Sequence, residues 1–579
     1  MTKFEFNSKN LFFVLLAIYF FPIIISLNLP FAQWDWLNTD TYQMREKIYS
    51  FSDIFSNIFF SLFIDTVQFR PVSTLITNLS YLIFKGEFWI WYLIKWLVFF
   101  YCIHLIYSIV FILTQNKLPA FLSGLFYGIN PMPFVLDVIS QDAYLVLFFL
   151  LSFRFYLVKD PFLGKDKKNI FIYLLLVCLS ILSKETGIGL FISLLVFHFY
   201  YDFNRSKKTK LSVLFFTTSI FVFIIYILRI LQINHPNSKK NFLFDQNIQD
   251  LIIYFLKTNR RIFDQILVTS PFGILIFSLI IILFYGIFLI IKNRNSRDLG
   301  IAFFLILCLV LTNQIISLAN ICAKYLPTPM VFLTLLIGIC SNTFLNKSKL
   351  IADKILKFMI IILIIFSPSK IYASWFGMMQ TGYENMDILN FLTNKQMNGY
   401  KAGFIFGVPK DIPWESIVTI KKFYRVSSKK FYNYYDENDF DINIYRKEIP
   451  KNEKLVILTN KTPDQISKGV FQKYGIKDLS YIDNAFYFKR ENYGAFEYLL
   501  YYFKKFEKLL GVRLKDPITC QPPRPSTYGF NFINPNHKDR FPYFVMAGPH
   551  YIYEINPEVS KKFSIIELKS LRRYGSITR

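Results

Sequence analysis

Histidine is scarce in this chain, at five residues in 579, and cysteine is little more frequent at six. There is no CxxC pair and no HExxH segment, so the usual zinc-site spacings are absent. Cys102, Cys178, Cys308, Cys322 and Cys340 fall in or beside apolar runs, and only Cys520 lies in a polar stretch. That distribution argues against a disulfide framework. Charge is also in short supply, at 18% of residues, where soluble proteins carry roughly 25%. No internal repeat is visible, which removes solenoid architectures.

What is present is apolar bulk. Hydrophobic residues make up 54% of the chain, with 67 Phe and 37 Tyr, and mean hydropathy is +0.36. Such a composition implies a polytopic α-helical membrane protein, with enough length left over for one soluble domain. Lys and Arg outnumber Asp and Glu by 65 to 39, a net charge of +26. The surplus divides between short clusters separating apolar runs and the C-terminal third. Clusters between apolar runs are the mark of cytoplasmic loops, so nucleic acid is not an expected partner.

A spanning helix needs about 20 mostly apolar residues. Candidate spans are Leu11–Leu27, Trp89–Leu113, Pro119–Ile129, Ala143–Val158, Ile170–Ser183 and Gly187–Tyr201, then Leu211–Leu231, Pro271–Ile291, Leu299–Leu318, Thr328–Leu345 and Phe358–Ser374. About eleven transmembrane helices are therefore expected over residues 1–374. Leu11–Leu27 is long and no small-residue cleavage pattern follows it, so it is read as a retained helix rather than a signal peptide.

Loop charge fixes the orientation. With the N-terminus cytoplasmic, the short inner loops collect Lys3 and Lys9, Lys117, the Lys159–Lys168 group, the Arg205–Lys210 group, Lys292 with Arg294 and Arg297, and the Lys347–Lys357 group. The short outer loops keep only Lys184 and Lys324. By the positive-inside rule the N-terminus is cytoplasmic and residues 375–579 lie outside. The expected location is a bacterial cytoplasmic membrane, with the C-terminal region periplasmic.

Two outer loops are long, 28–88 and 232–270. In the first, Ile54, Phe55, Ile58, Phe59 and Leu62 recur at helical spacing, and in the second Leu251, Ile252, Phe255, Ile262, Phe263 and Ile266 do the same. Each pattern suits either a helix lying in the membrane interface or one packed against the bundle. From about Ser374 the pattern changes. Gly403–Val408, Lys454–Thr459 and Ala485–Lys489 read as strands, with helices over Asp411–Tyr424 and Thr462–Tyr474, giving a small α/β domain. A basic aromatic helix follows, striped by Phe496, Leu499, Leu500, Phe503, Phe506 and Leu510.

The residues able to carry chemistry cluster at outer helix ends. Asp35 and Asp40 follow the first span, and Arg70 stands in Phe69-Arg-Pro-Val72. Asp137 and Asp142 lie in the segment Asn130–Asp142. Lys184 and Glu185 open Lys-Glu-Thr-Gly, and Lys324 with Tyr325 precedes Leu326-Pro327. Ionisable groups near bilayer depth are costly and face cavities or one another. Both signs converging on one face suits a site that takes a proton from one group and neutralises charge on another.

Taken in order, these segments resemble the GT-C superfamily of polyprenyl-phosphate-sugar-dependent glycosyltransferases, most nearly the protein O-mannosyltransferases and their tetratricopeptide-containing relatives. That family has an acidic motif in the first outer loop, a Tyr-Arg-Pro segment, a His-Pro-x-x-x-Glu segment, a Lys-Glu-Thr motif and an Arg-Tyr-x-x-x-Pro motif. Asp40, Arg70-Pro71, Pro131 with Asp137, Lys184-Glu185-Thr186 and Lys324-Tyr325 occupy comparable places over residues 1–345. Asn130 stands where the family has His, and Lys324 where it has Arg.

The resemblance implies a membrane glycosyltransferase with Asp40, Asp137 and Glu185 in catalytic roles. Asp40 would serve as general base, and Arg70, Lys184, Lys324 and Tyr325 would hold the donor phosphate. Asp35 and Asp142 are the alternative acids. The implied partners are a polyprenyl-phosphate sugar donor, membrane lipid, and a glycan, lipid or protein acceptor. No cofactor is required and a divalent metal is optional, because the cations can do its electrostatic work. Two other readings stay open: a transporter or flippase of lipid-linked sugars, and a non-catalytic scaffold for envelope assembly.

Overall fold

A computed structural model describes residues 5–28, 50–56, 70–84, 88–129, 142–161, 167–184, 186–197, 273–293, 296–319, 327–365, 367–368 and 371, together with five strands between 400 and 555. Helices dominate. They are α1 (Ser8–Asn28), α2 (Pro71–Phe84), α3 (Phe88–Thr114), α4 (Lys117–Gly128), α5 (Asp142–Lys159), α6 (Lys167–Ile181) and α7 (Gly187–Phe197). Then come α8 (Gly273–Asn293), α9 (Ser296–Ala319), α10 (Pro327–Lys347) and α11 (349–365). A helix occupies ten of the eleven apolar runs picked out above, while Leu211–Leu231 lies outside the described residues. Among the described residues two helices, Trp89–Thr114 and Thr328–Lys347, are long and apolar enough to cross a membrane.

Local chemistry sets several boundaries. Gln115 adopts φ 55°, closing α3 in the left-handed region. Asn116 then caps α4, its side chain accepting from the Leu118 amide at 3.1 Å, and Pro119 is tolerated because it falls in the first turn. In the first long loop, Ser50 and Asp53 form a reciprocal capping box. The Ser50 amide donates to the Asp53 carboxylate at 2.9 Å, and the Asp53 amide to Ser50 Oγ at 3.4 Å, starting a short helix over 51–56. Its Ile54 is buried in the core while Phe51 and Phe55 stay exposed. Of the stripe's described residues, Ile54 packs into the bundle and Phe55 does not, while Ile58, Phe59, Leu62 and the 232–270 stripe lie outside the described residues.

The helix α2 falls inside what reads in sequence as loop. Its 14 residues are too few for a spanning pattern, and Ser73, Thr74, Thr77 and Asn78 interrupt the apolar run. These four, with Val72, are its buried residues among those described.

Packing centres on α10, which touches α3, α4, α5, α8 and α9. Aromatic edges fill the seams: Phe149 meets Phe332 with centroids 5.0 Å apart, and Phe304 meets Phe197 at 4.7 Å. Helices α8 and α10 approach so closely that a Cβ added at Gly286 would lie 2.8 Å from the Cα of Cys340. Close approach at small residues is how apolar helices gain dispersion contact where no water drives them together. Cys102, Cys178, Cys308 and Cys340 are free thiols.

The outer surface of these helices is apolar too. Phe13, Phe20, Leu97, Phe171, Phe284, Phe303, Leu350 and Phe358 are exposed. Apolar exposure of that extent marks contact with lipid or a partner, since water would penalise it.

In the C-terminal region five strands form one mixed sheet: β1 (Tyr400–Ile405), β2 (Phe431–Tyr434), β3 (Lys454–Thr459), β4 (Ile482–Phe488) and β5 (His550–Ile555). The order is β2-β1-β3-β5-β4. β1 runs parallel to β2 and β3, whereas β5 is antiparallel to β3 and β4. β2 and β5 carry no run of apolar residues long enough to have been read from sequence. The helices read over Asp411–Tyr424 and Thr462–Tyr474, and the striped helix from Phe496, lie outside the described residues.

Candidate active site

The site grows from helix ends. Asp142 is the first residue of α5, where a carboxylate meets the positive end of the helix dipole. Lys184 lies just past the end of α6, where a cation meets the negative end. These helices pack as an antiparallel pair, tied by Ser180 Oγ donating to the Leu145 carbonyl at 3.0 Å. Their complementary ends therefore coincide, and Lys184 Nζ donates directly to Asp142 Oδ2. The other carboxylate oxygen accepts from Thr328 Oγ1 at 2.9 Å, which brings the first turn of α10 into the same cluster.

The turn carrying Lys184 is tight. The Gly187 amide donates to the Lys184 carbonyl at 2.9 Å. A Cβ on Gly187 would lie 2.6 Å from the Cα of Ile181 and 2.7 Å from its carbonyl oxygen. Backbone cannot yield as a side chain can. Gly187→Ala is expected to cost about 1–3 kcal/mol, read as a lowered thermal midpoint of the purified protein; an unchanged midpoint would show that the turn relaxes freely.

Arg70 joins from the other side. The Val72 amide donates to the Leu182 carbonyl at 3.2 Å, and Ser73 Oγ donates to the Ser183 carbonyl at 2.7 Å. The first turn of α2 thus satisfies carbonyls at the end of α6, and the residue on each side of this seam is a cation, Arg70 or Lys184. Pro71 suits the first helical position, where no amide is needed. Thr74 Oγ1 and Thr186 Oγ1 are buried here with no hydrogen-bond partner among the described residues.

Burial decides how to read the cluster. Among the described residues four charged side chains are buried: Arg70 at 8% exposed, Lys95 at 1%, Asp142 at 2% and Lys184 at 4%. All four lie at one end of the bundle. Lys95 belongs there because its Nζ sits 4.3 Å from the ring centroid of Tyr144, in the first turn of α5. Burying each ion costs several kcal/mol, and apolar residues of similar volume usually serve stability as well or better. Charges kept inside an apolar bundle point to function.

Thr328 is a direct test of the geometry. Thr328→Val preserves shape and removes one charge-assisted hydrogen bond, so it is expected to cost about 1.5–3 kcal/mol. Thermal unfolding of the purified variant checks this, and no loss would mean that the carboxylate is held by other groups.

Of the residues singled out from sequence, Arg70, Asp142 and Lys184 are described and share this end of the bundle. Asp35, Asp40, Asp137, Glu185, Lys324 and Tyr325 lie outside the described residues. Sequence reading passed over Lys95 and Thr328. Lys95 carried a usable signal, a lone ammonium inside an otherwise apolar 27-residue helix. A threonine at a helix start carries none. Among the described residues no three His, Cys, Asp or Glu side chains gather closely enough to hold a metal.

No protein-family model, curated protein or solved structure matches this chain.

Proposed function

We propose that the chain is a membrane glycosyltransferase that moves a sugar from a polyprenyl-phosphate donor to an acceptor on the extracytoplasmic face. In this reading about eleven helices cross the cytoplasmic membrane, and the C-terminal sheet belongs to a periplasmic α/β domain. One observation carries it: all four buried charges among the described residues gather at one end of an apolar bundle, with a carboxylate bound to an ammonium and a threonine. The loops bearing Asp40, Asp137 and Lys324 adjoin this end in the chain. Exposed phenylalanines and leucines along the helices suit a lipid surround, and a polyprenyl tail belongs in the same medium.

The chemistry is a single displacement. Asp40 takes the proton of the acceptor's hydroxyl or other nucleophile as that atom bonds to the anomeric carbon. The bond from anomeric carbon to phosphate oxygen breaks, and its electron pair leaves on the polyprenyl phosphate. Configuration at the anomeric carbon is inverted. Arg70, Lys184 and Lys324 stabilise the charge gathering on the phosphate, more strongly in a water-poor site than in solvent. Asp142 holds Lys184 in place. Asp137 and Glu185 act as further acids of the site, and Tyr325 stands beside Lys324 at the phosphate.

Purified protein in nanodiscs, given a polyprenyl-phosphate sugar and envelope extract as acceptor, tests the proposal. A new glycosidic bond and free polyprenyl phosphate are the expected products. Labelled lipid that crosses vesicle membranes without any such bond would favour transport and overturn the transferase reading.

A further inference from the structure

We infer that Arg154, with Ser108 and His104 across the seam between α3 and α5, seats the headgroup phosphate of an anionic phospholipid in the cytoplasmic leaflet. The inference rests on the membrane reading above and is independent of sugar transfer.

Between its end residues Asp142 and Lys159, the helix α5 holds a single charged side chain, Arg154. It stands five residues before Lys159, about 7–8 Å along the axis, toward the end of the bundle opposite to Asp142. The side chain is half-buried, and its Nε donates to Ser108 Oγ of α3 at 2.9 Å. A guanidinium presents five donors in a flat fork, and this bond uses one. Ser108 is its hydrogen-bond partner among the described residues. Within a lipid-facing bundle the remaining donors call for an anion, and a snorkelling arginine finds one at headgroup level.

His104 completes the seat. It lies one turn before Ser108 on the same face of α3, within electrostatic reach of Arg154. Its Nδ1 shares a hydrogen bond of 2.7 Å with Ser8 Oγ at the start of α1, and its ring stacks on Tyr101 with centroids 6.3 Å apart. The imidazole is thus held in place while it stays exposed, and Nε2 is the nitrogen left for a ligand.

The surroundings identify the occupant. Trp89, Leu93, Leu97 and Tyr101 are exposed and recur every four residues down α3, and this stripe ends on His104. An acyl chain lying along it brings its phosphate to the point where the polar groups begin. Phosphate oxygens match the two-pronged fork of a guanidinium. Lys9 and Lys159 are exposed at the same end of the bundle, and their field favours a lipid of net negative charge over a zwitterion.

Full-length protein, delipidated in neutral detergent, is titrated with phosphatidylglycerol, and the lipid retained is counted by native mass spectrometry. The parent is expected to take up phosphatidylglycerol at about tenfold lower concentration than phosphatidylcholine, and Arg154→Gln to lose that advantage. Arg154→Lys keeps the charge without the fork, so a loss of about threefold is expected. His104→Ala removes an exposed ring, is expected to lose about threefold, and carries the test if Arg154→Gln fails to fold. Parent-like retention by Arg154→Gln, or by His104→Ala in its place, overturns the seat. Equal retention of the two lipids by the parent overturns the anionic assignment. Release of the lipid by millimolar inorganic phosphate assigns the seat to a soluble anion and overturns the lipid assignment. Recovery of the parent chain in the soluble fraction without detergent removes the membrane reading, and this inference with it.

Discussion

Asp142→Ala lowers the stability of the protein by about 3–5 kcal/mol, the cost of breaking a buried ion pair from one side. Its carboxylate serves two partners at once, the Lys184 ammonium and the Thr328 hydroxyl. Both are buried, so neither recovers the lost interaction from water. The same change made on a solvated face would cost under about 1 kcal/mol, and the gap between these figures makes the experiment decisive. The matching control replaces the set together, as Asp142→Leu with Lys184→Met and Thr328→Val. Removing both charges removes both desolvation penalties, so the triple variant is expected to recover most of the lost stability while sugar transfer stays abolished. Thermal unfolding of the purified variants, set beside turnover, reads the two effects separately. A single Asp142→Ala variant as stable as the parent would mean that the cluster is solvated.

Asp40→Asn carries the largest expected effect on rate. A carboxylate serving as general base contributes about 10²–10⁴-fold, and asparagine has nearly the same shape but cannot accept the proton. kcat is therefore expected to fall by about that factor, with the donor's KM little changed because the phosphate contacts remain. Steady-state transfer from a polyprenyl-phosphate sugar measures both constants. Undiminished transfer would remove Asp40 from the mechanism and pass the role to Asp35 or Asp137. Loss expressed entirely in KM would make Asp40 a binding group.

These two experiments address different parts of the site, and the split follows what could be read from the chain. Lys184 announced itself through the Lys-Glu-Thr-Gly segment between two apolar runs. Arg70 did so through the proline after it, and Asp142 through its place at the head of an apolar run. Each is a local signal, because helix ends and the loops joining them are contiguous in sequence. That Asp142 binds Lys184 is not local. The two are 42 residues apart, and Asp35, Asp137 or Glu185 would have satisfied the same pattern. Thr328 is 186 residues from Asp142, with nothing in its neighbourhood to single it out.

The helix α2 teaches the same lesson about the fold. Its polar face was read as loop because alternation with Ser73, Thr74, Thr77 and Asn78 dilutes the apolar count. The carbonyls of Leu182 and Ser183 meet the start of that helix, accepting from the Val72 amide and Ser73 Oγ, and no local pattern announces them. In the sheet, β3 was legible as a continuous apolar run. The antiparallel β5, His-Tyr-Ile-Tyr-Glu-Ile, has no such run, and its partner lies nearly 100 positions away, Leu455 with Ile555 at the extreme.

The sequence by itself determined that this chain builds apolar helices, where most of them begin and end, and which residues near those ends carry charge. Hydropathy and capping act over a few residues, so they are written in order along the chain. Which of those charges meet was decided only when the helices packed. Closing α5 onto α6, and the start of α10 onto α5, sets side chains from distant segments within bonding distance. A buried ion is stable only where such packing delivers its partner.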